Sequence, residues 1–287
     1  MQLRVGLPHL PHLPLRPSAR GAVLGAGTAL VAGSVATLGG QVLWTAHRKL
    51  PSLIGLDASG WIPGTADGPV LRVVALGDST LTGPGLAGPE EIWLRVALAD
   101  LALPYPVDLV SLAVGGSRLA QVRAAADHAL ELEPDVVVVA AGSNDAIHGT
   151  NVRAFADGLD ELITTLLQGT SAIGVGNVGD LGNVVRVPQP LSSVLRQRSI
   201  SISRRIEQVV GRHDRAILLD VTASDVGFRD RGVFGEDLFH PNRTGHQLWA
   251  DAARPGLARL LAEARGDHPR TWSCDDPAPE SEATGSI

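Results

Sequence analysis

The chain has 287 residues, 44% of them hydrophobic, with 24 basic and 30 acidic side chains for a net charge of −6. That is enough for one substantial core with appendages, and the acidic balance, without a basic stripe interleaved by aromatics, argues against nucleic acid as a partner. The single cysteine, Cys274, rules out an intramolecular disulfide, and its polar surroundings offer no base that would make it a nucleophile.

Residues 1–20 form a Pro-rich flank carrying Arg4, Arg16 and Arg20 and no acid. Residues 21–46 then hold no charged side chain and are dominated by Leu, Val, Ala and Gly. At about 20 residues per bilayer crossing, this stretch is expected to be a transmembrane anchor or a signal segment. Trp44 suits a membrane interface, and the absence of a good small-x-small cleavage site favours the anchor. The upstream arginines place the amino terminus inside, so the remainder is expected to be extracytoplasmic, either membrane-anchored or secreted.

Residues 47–69, rich in Gly, Pro and Ser, read as a linker. A single domain is expected over 70–265. Apolar runs at 70–76, 107–114, 135–141, 171–175 and 216–219 are continuous enough to be strands buried on both faces of a parallel sheet. Helical periodicity falls between and after them, at 89–101, 118–132, 152–167, 194–210 and 243–264. Alternating strands and helices give an α/β fold with a five-stranded parallel sheet, whose ligands bind at the carboxyl ends of the strands. Residues 266–287 read as an acidic, disordered tail.

Chemistry-bearing segments fall at those strand ends. Ser79, in Gly77-Asp78-Ser79-Thr80, is a candidate nucleophile, which needs a base to take its proton. Asp237 and His240 stand three apart, a spacing that in a helical turn puts both on one face, so the carboxylate can orient the imidazole. Pro241 suits the first position of the last helix. Gly116, in Gly115-Gly116-Ser117, allows a backbone N–H to approach a developing oxyanion, and the Asn144 amide in Gly142-Ser143-Asn144-Asp145 is a second donor. Asp145 is expected to brace its loop, and Thr80, Thr82 and Gly83-Pro84-Gly85 to shape a wall of the cleft. Asp220 and Asp225 are reserve candidates for the acid.

These four segments, in this order, resemble the SGNH (GDSL-type) esterases and acylhydrolases, named for the residues matched here by Ser79, Gly116, Asn144 and His240. The first block reads GDST where GDSL is commonest. The resemblance covers roughly 70–264 and implies a flavodoxin-like three-layer α/β/α domain. It also implies a Ser79–His240–Asp237 triad and an oxyanion hole formed by the Ser79 N–H, the Gly116 N–H and the Asn144 amide. Neither a metal nor a cofactor is required. The expected partners are a small-molecule, lipid or carbohydrate ester and, through the N-terminal segment, a membrane.

Two other readings share the fold: acyl transfer to a sugar or alcohol, and a non-catalytic, membrane-tethered binding protein. A literal G-x-G-x-x-G at Gly174–Gly179 suggests a dinucleotide cradle, but Pro188 and Pro190 follow where a helix would have to open, so it reads as a loop at the cleft rim.

Overall fold

A computed structural model describes residues 51–66 and 68–266, together with 33, 36–45 and 47. The chain divides into two units, Met1–His47 and Arg48–Ile287. In the first, residues 36–45 are helical. Among the described residues no helix is long and apolar enough to cross a membrane. The flank at 1–20, most of the expected anchor at 21–46 and the tail beyond Gly266 lie outside the described residues.

The second unit is built on six strands: β1 (Gly60–Ile62), β2 (Leu71–Gly77), β3 (Val107–Ser111), β4 (Val136–Ala140), β5 (Ala172–Gly176) and β6 (Ala216–Leu219). They lie in the order β1-β3-β2-β4-β5-β6, all parallel except β1, which pairs antiparallel with β3. The five parallel strands therefore follow a doubly wound order whose switch point lies between β2 and β4.

Successive side chains of the central strands point to opposite faces. Val73, Ala75, Val136 and Val138 pack on one side against α2 (Trp93–Asp100) and α8 (Arg243–Gly266). Val74, Leu76, Val137 and Val139 pack on the other against α3 (Leu119–Ala124), α4 (Ala126–Glu131), α6 (Val152–Leu166) and α7 (Leu191–Val210). Both faces are covered, so these strands have no polar alternation. Two short helices, α1 (Ser79–Thr82) and α5 (Ser143–His148), start just beyond the ends of β2 and β4.

Three expectations are corrected. The sheet has six strands, the extra one lying inside the stretch read as a linker. β1 is only three residues long, too short to show a period, and it is held by contacts distant in sequence. Arg95 donates to the carbonyls of Ala58 and Trp61 at 3.0 and 3.2 Å, and Ser59 Oγ accepts the Ser111 N–H at 2.9 Å. The helix expected over 118–132 is two helices broken at Ala125, whose φ/ψ of −92°/1° leaves the helical range; an alanine gives no warning of a break. The last helix starts at Arg243 rather than Pro241. Asn242 Oδ1 caps it by accepting the N–H groups of Thr244 and Gly245, while Pro241 forms a bridge with Phe234.

Candidate active site

The site forms where β2 and β4 end side by side. Gly77 closes β2 so near β4 that a Cβ there would sit 2.4 Å from the Ala140 carbonyl oxygen, which only glycine avoids. Asp78 follows and caps α1, its Oδ1 accepting the Thr80 N–H at 2.9 Å. Ser79 is thus the first residue of a short, capped helix, partly exposed at the edge of the sheet.

Asp78 also reaches sideways. Its Oδ2 accepts from Asn144 Nδ2 at 3.2 Å, so one buried carboxylate joins α1 to the residue beyond β4. Burial pushes this carboxyl up to about 6, against the opposing pull of hydrogen bonds from Thr80 and Asn144. Asn144 Nδ2 makes a second bond, to the Ser117 carbonyl at 3.1 Å. Both amide hydrogens therefore have acceptors in the free protein. Ser117 ends the turn containing Gly115 and Gly116, and Gly116 has a φ of +82°, which favours glycine. Asp145 is buried and accepts the Leu119 N–H at 2.9 Å, tying α5 to the start of α3.

Asp237 and His240 meet, though not on a helical turn. Leu238 has a left-handed φ of 58°, and Asp237 Oδ1 accepts the N–H groups of Phe239 and His240, each at 3.0 Å. This tight turn brings His240 Nδ1 to 2.6 Å from Asp237 Oδ2. Burial alone would raise the Asp237 carboxyl, but the bonds from the His240 ring and the two N–H groups outweigh it and hold it below the ordinary value. Gly235 N–H donates to the His240 carbonyl at 2.8 Å, closing the loop on itself.

The reserve acids lie elsewhere. Asp220 Oδ1 accepts from Asn177 and Thr222, and Asp225 Oδ1 accepts the Asp180 N–H. Neither bonds His240. A second histidine, His246, is buried and accepts the Trp93 N–H at 3.2 Å; burial, then the nearby His240, lowers it to about 3, so it stays neutral and joins α8 to α2.

Ser79 and His240 line two cavities. One is an open groove of about 690 Å³, lined also by Gly115, Gly116, Asn144 and Thr82. Its outer wall comes from the supposed linker: Leu53, Gly55, Leu56 and Asp57 border it, and the Leu56 N–H donates to the Thr82 carbonyl at 2.6 Å. The other is a more enclosed pocket of about 70 Å³, walled by Val184, Phe228, Phe234, Phe239 and Trp249. Three of the chain's four phenylalanines are in that wall, and their crowding between residues 228 and 239 was the available signal for it. No helix opens after Gly179; a 3₁₀ turn over Leu181–Asn183 follows, and Gly179 and Leu181 border the enclosed pocket. Among the described residues no cluster of His, Cys, Asp or Glu is placed to hold a metal ion.

A partly exposed serine, an imidazole bonded to a buried carboxylate and a glycine turn border one groove, the set of groups that acyl transfer through a serine would call for. Residues 75–248 match the family model of the GDSL-like lipases and acylhydrolases. The chain belongs to that family. A curated GDSL-like esterase of Mycobacterium tuberculosis is 26% identical over 199 residues, covering 67% of this chain and 63% of its own length. Among solved structures, an α/β hydrolase from the Lake Arreo metagenome superposes with a TM-score of 0.53 at 20% identity, over 68% of this chain and 97% of its own. A catalytic mutant of an acetylxylan esterase from Geobacillus stearothermophilus gives a TM-score of 0.51 at 16% identity, over 69% and 95%. At such identities these structures speak for the fold alone.

Proposed function

We propose that the chain is a serine carboxylic ester hydrolase. His240 takes the proton of Ser79 as its oxygen attacks the acyl carbonyl, and Asp237 supports the imidazolium that forms. The tetrahedral oxyanion is held by the N–H groups of Ser79 and Gly116 and by the Asn144 amide, which turns one hydrogen from the Ser117 carbonyl to the new negative charge. His240 then protonates the leaving alcohol, and the same base activates water to release the acyl group from Ser79. The observation that carries this reading is the 2.6 Å bond between His240 and Asp237 on a groove shared with Ser79, Gly116 and Asn144.

The test is hydrolysis of p-nitrophenyl acetate and butyrate by the full chain beside Ser79→Ala. Turnover that disappears with the hydroxyl supports the reading, and turnover that survives it refutes it. A competing alcohol in the same assay separates hydrolysis from acyl transfer by the products formed. For residues 21–46 the proposal remains a membrane anchor with the enzyme outside the cytoplasm. Release of the full chain from membranes by alkaline carbonate would contradict it.

A further inference from the structure

Asn144 sits on α5, a helix of six residues, too short to hold its shape without outside contacts. α7 supplies contacts at both ends of it. At the start, Gly142 lies so close to α7 that a Cβ there would come within 2.9 Å of an Ile202 methyl group. Four residues earlier on the same face of α7, Arg198 reaches the other end. Its Nε donates to the Ala146 carbonyl at 2.6 Å, and its Nη2 to the carbonyls of Thr150 at 2.7 Å and Asp145 at 3.4 Å. A helix leaves its last carbonyls without partners inside the helix, and a cation placed there also answers the negative end of its dipole.

α7 is itself fixed to the sheet. Just beyond β5, Ser203 Oγ donates to the Val178 carbonyl at 2.5 Å and accepts the Val178 N–H at 3.0 Å. Arg198 therefore links a twenty-residue helix, anchored next to β5, to the short helix that bears Asn144.

The reaction proposed above gives that link its importance. In the free protein the Asn144 amide is held by Asp78 and by the Ser117 carbonyl. To meet the oxyanion it gives up the Ser117 bond and with it one of two restraints. Its aim then depends on the Asp78 bond and on the backbone of α5. A misplacement of about 1 Å can cost about 10²-fold in rate.

Resting on the ester-hydrolase reading, we infer that Arg198 is a positioning residue for the reaction, holding α5 so that the Asn144 amide points at the oxyanion. Arg198 itself borders neither of the two cavities at Ser79.

The experiment compares the full chain with Arg198→Met, Arg198→Lys, Asn144→Ala and the double variant Arg198→Met/Asn144→Ala. Each is assayed on p-nitrophenyl butyrate, with urea unfolding alongside. Arg198→Met loses every donor, so kcat should fall about tenfold while KM stays within about twofold. Arg198→Lys keeps the charge but not the fork that spans two carbonyls, and should lose about threefold. The double variant decides. With Asn144 truncated there is no amide left to aim, so the methionine change should cost less than about twofold in kcat. A purely structural role would cost the same factor in both backgrounds.

Equal losses in both backgrounds, an undiminished kcat in Arg198→Met, or a loss confined to KM overturns the inference. If Arg198→Met fails to fold, Arg198→Lys is crossed with Asn144→Ala instead; its loss must then vanish in that background, and an undiminished kcat or an equal loss in both backgrounds overturns the inference. Failure of the parent reading looks different: no ester turnover, turnover surviving Ser79→Ala, or an Asn144→Ala variant as fast as the unaltered chain.

Discussion

Asp78 is the residue whose replacement tests most of this architecture at once. Its carboxyl moves from an ordinary 3.8 to about 6 on folding. At about 1.4 kcal/mol per pH unit, that difference is worth about 3 kcal/mol. Below pH 4 both folded and unfolded chains hold the proton. Between pH 4 and 6 the unfolded chain has released it and the folded one has not, so stability falls as pH rises; above 6 the loss is complete. Asp78→Asn keeps an oxygen for the Thr80 N–H and removes the titration. Its stability relative to the parent should therefore improve by about 2.4 kcal/mol between pH 4 and pH 7, whatever constant offset the lost Asn144 bond adds. Urea unfolding of both proteins at pH 4, 5, 6 and 7 measures this, and parallel stability curves would refute it. The same variant leaves Asn144 without the carboxylate that fixes its amide, so kcat should drop about tenfold even where the protein is more stable.

On the proposed mechanism Asn144→Ala removes an oxyanion donor and should lower kcat on the order of 10²-fold with little change in KM; undiminished turnover would take it out of the mechanism. Asp237→Asn keeps the turn but loses the charge behind His240, and steady-state kinetics should show a fall of about 10³- to 10⁴-fold in kcat. Gly77→Ala forces a methyl group against the Ala140 carbonyl and should cost about 1–3 kcal/mol in urea unfolding; full stability would mean that β2 and β4 separate easily at their ends.

The parallel core was legible because runs such as Val136–Ala140 are buried on both faces and carry no alternation to confuse with an exposed strand. What escaped was held by contacts distant in sequence. Gly60–Ile62 becomes a strand only because β3 and Arg95 are there to meet it, and no local pattern announces the break at Ala125. In the site, the Asp237 to His240 spacing foretold the contact but not the turn, since the left-handed Leu238 replaces the helix that the spacing suggested. The role of Asp78 escaped for the same reason, since its bond to Asn144 crosses 66 residues of chain and only its cap bond to Thr80 is local. The aromatic pocket was dispersed in a composition with only 3% aromatics, although its members crowd into one short stretch after β6.

Leu53–Asp57 bears on where this enzyme ends and its lead-in begins. By composition the domain starts near residue 70, yet a chain cut there would keep its five parallel strands and lose a side of its catalytic groove. The Leu56 bond to the Thr82 carbonyl ties this strap to the four-residue helix that starts with Ser79. A pull on the chain ahead of Pro51 would therefore meet Leu53, packed near Gly85 and Gly235, and then the Leu56 bond to the helix of Ser79, so that both sides of the groove would share the load.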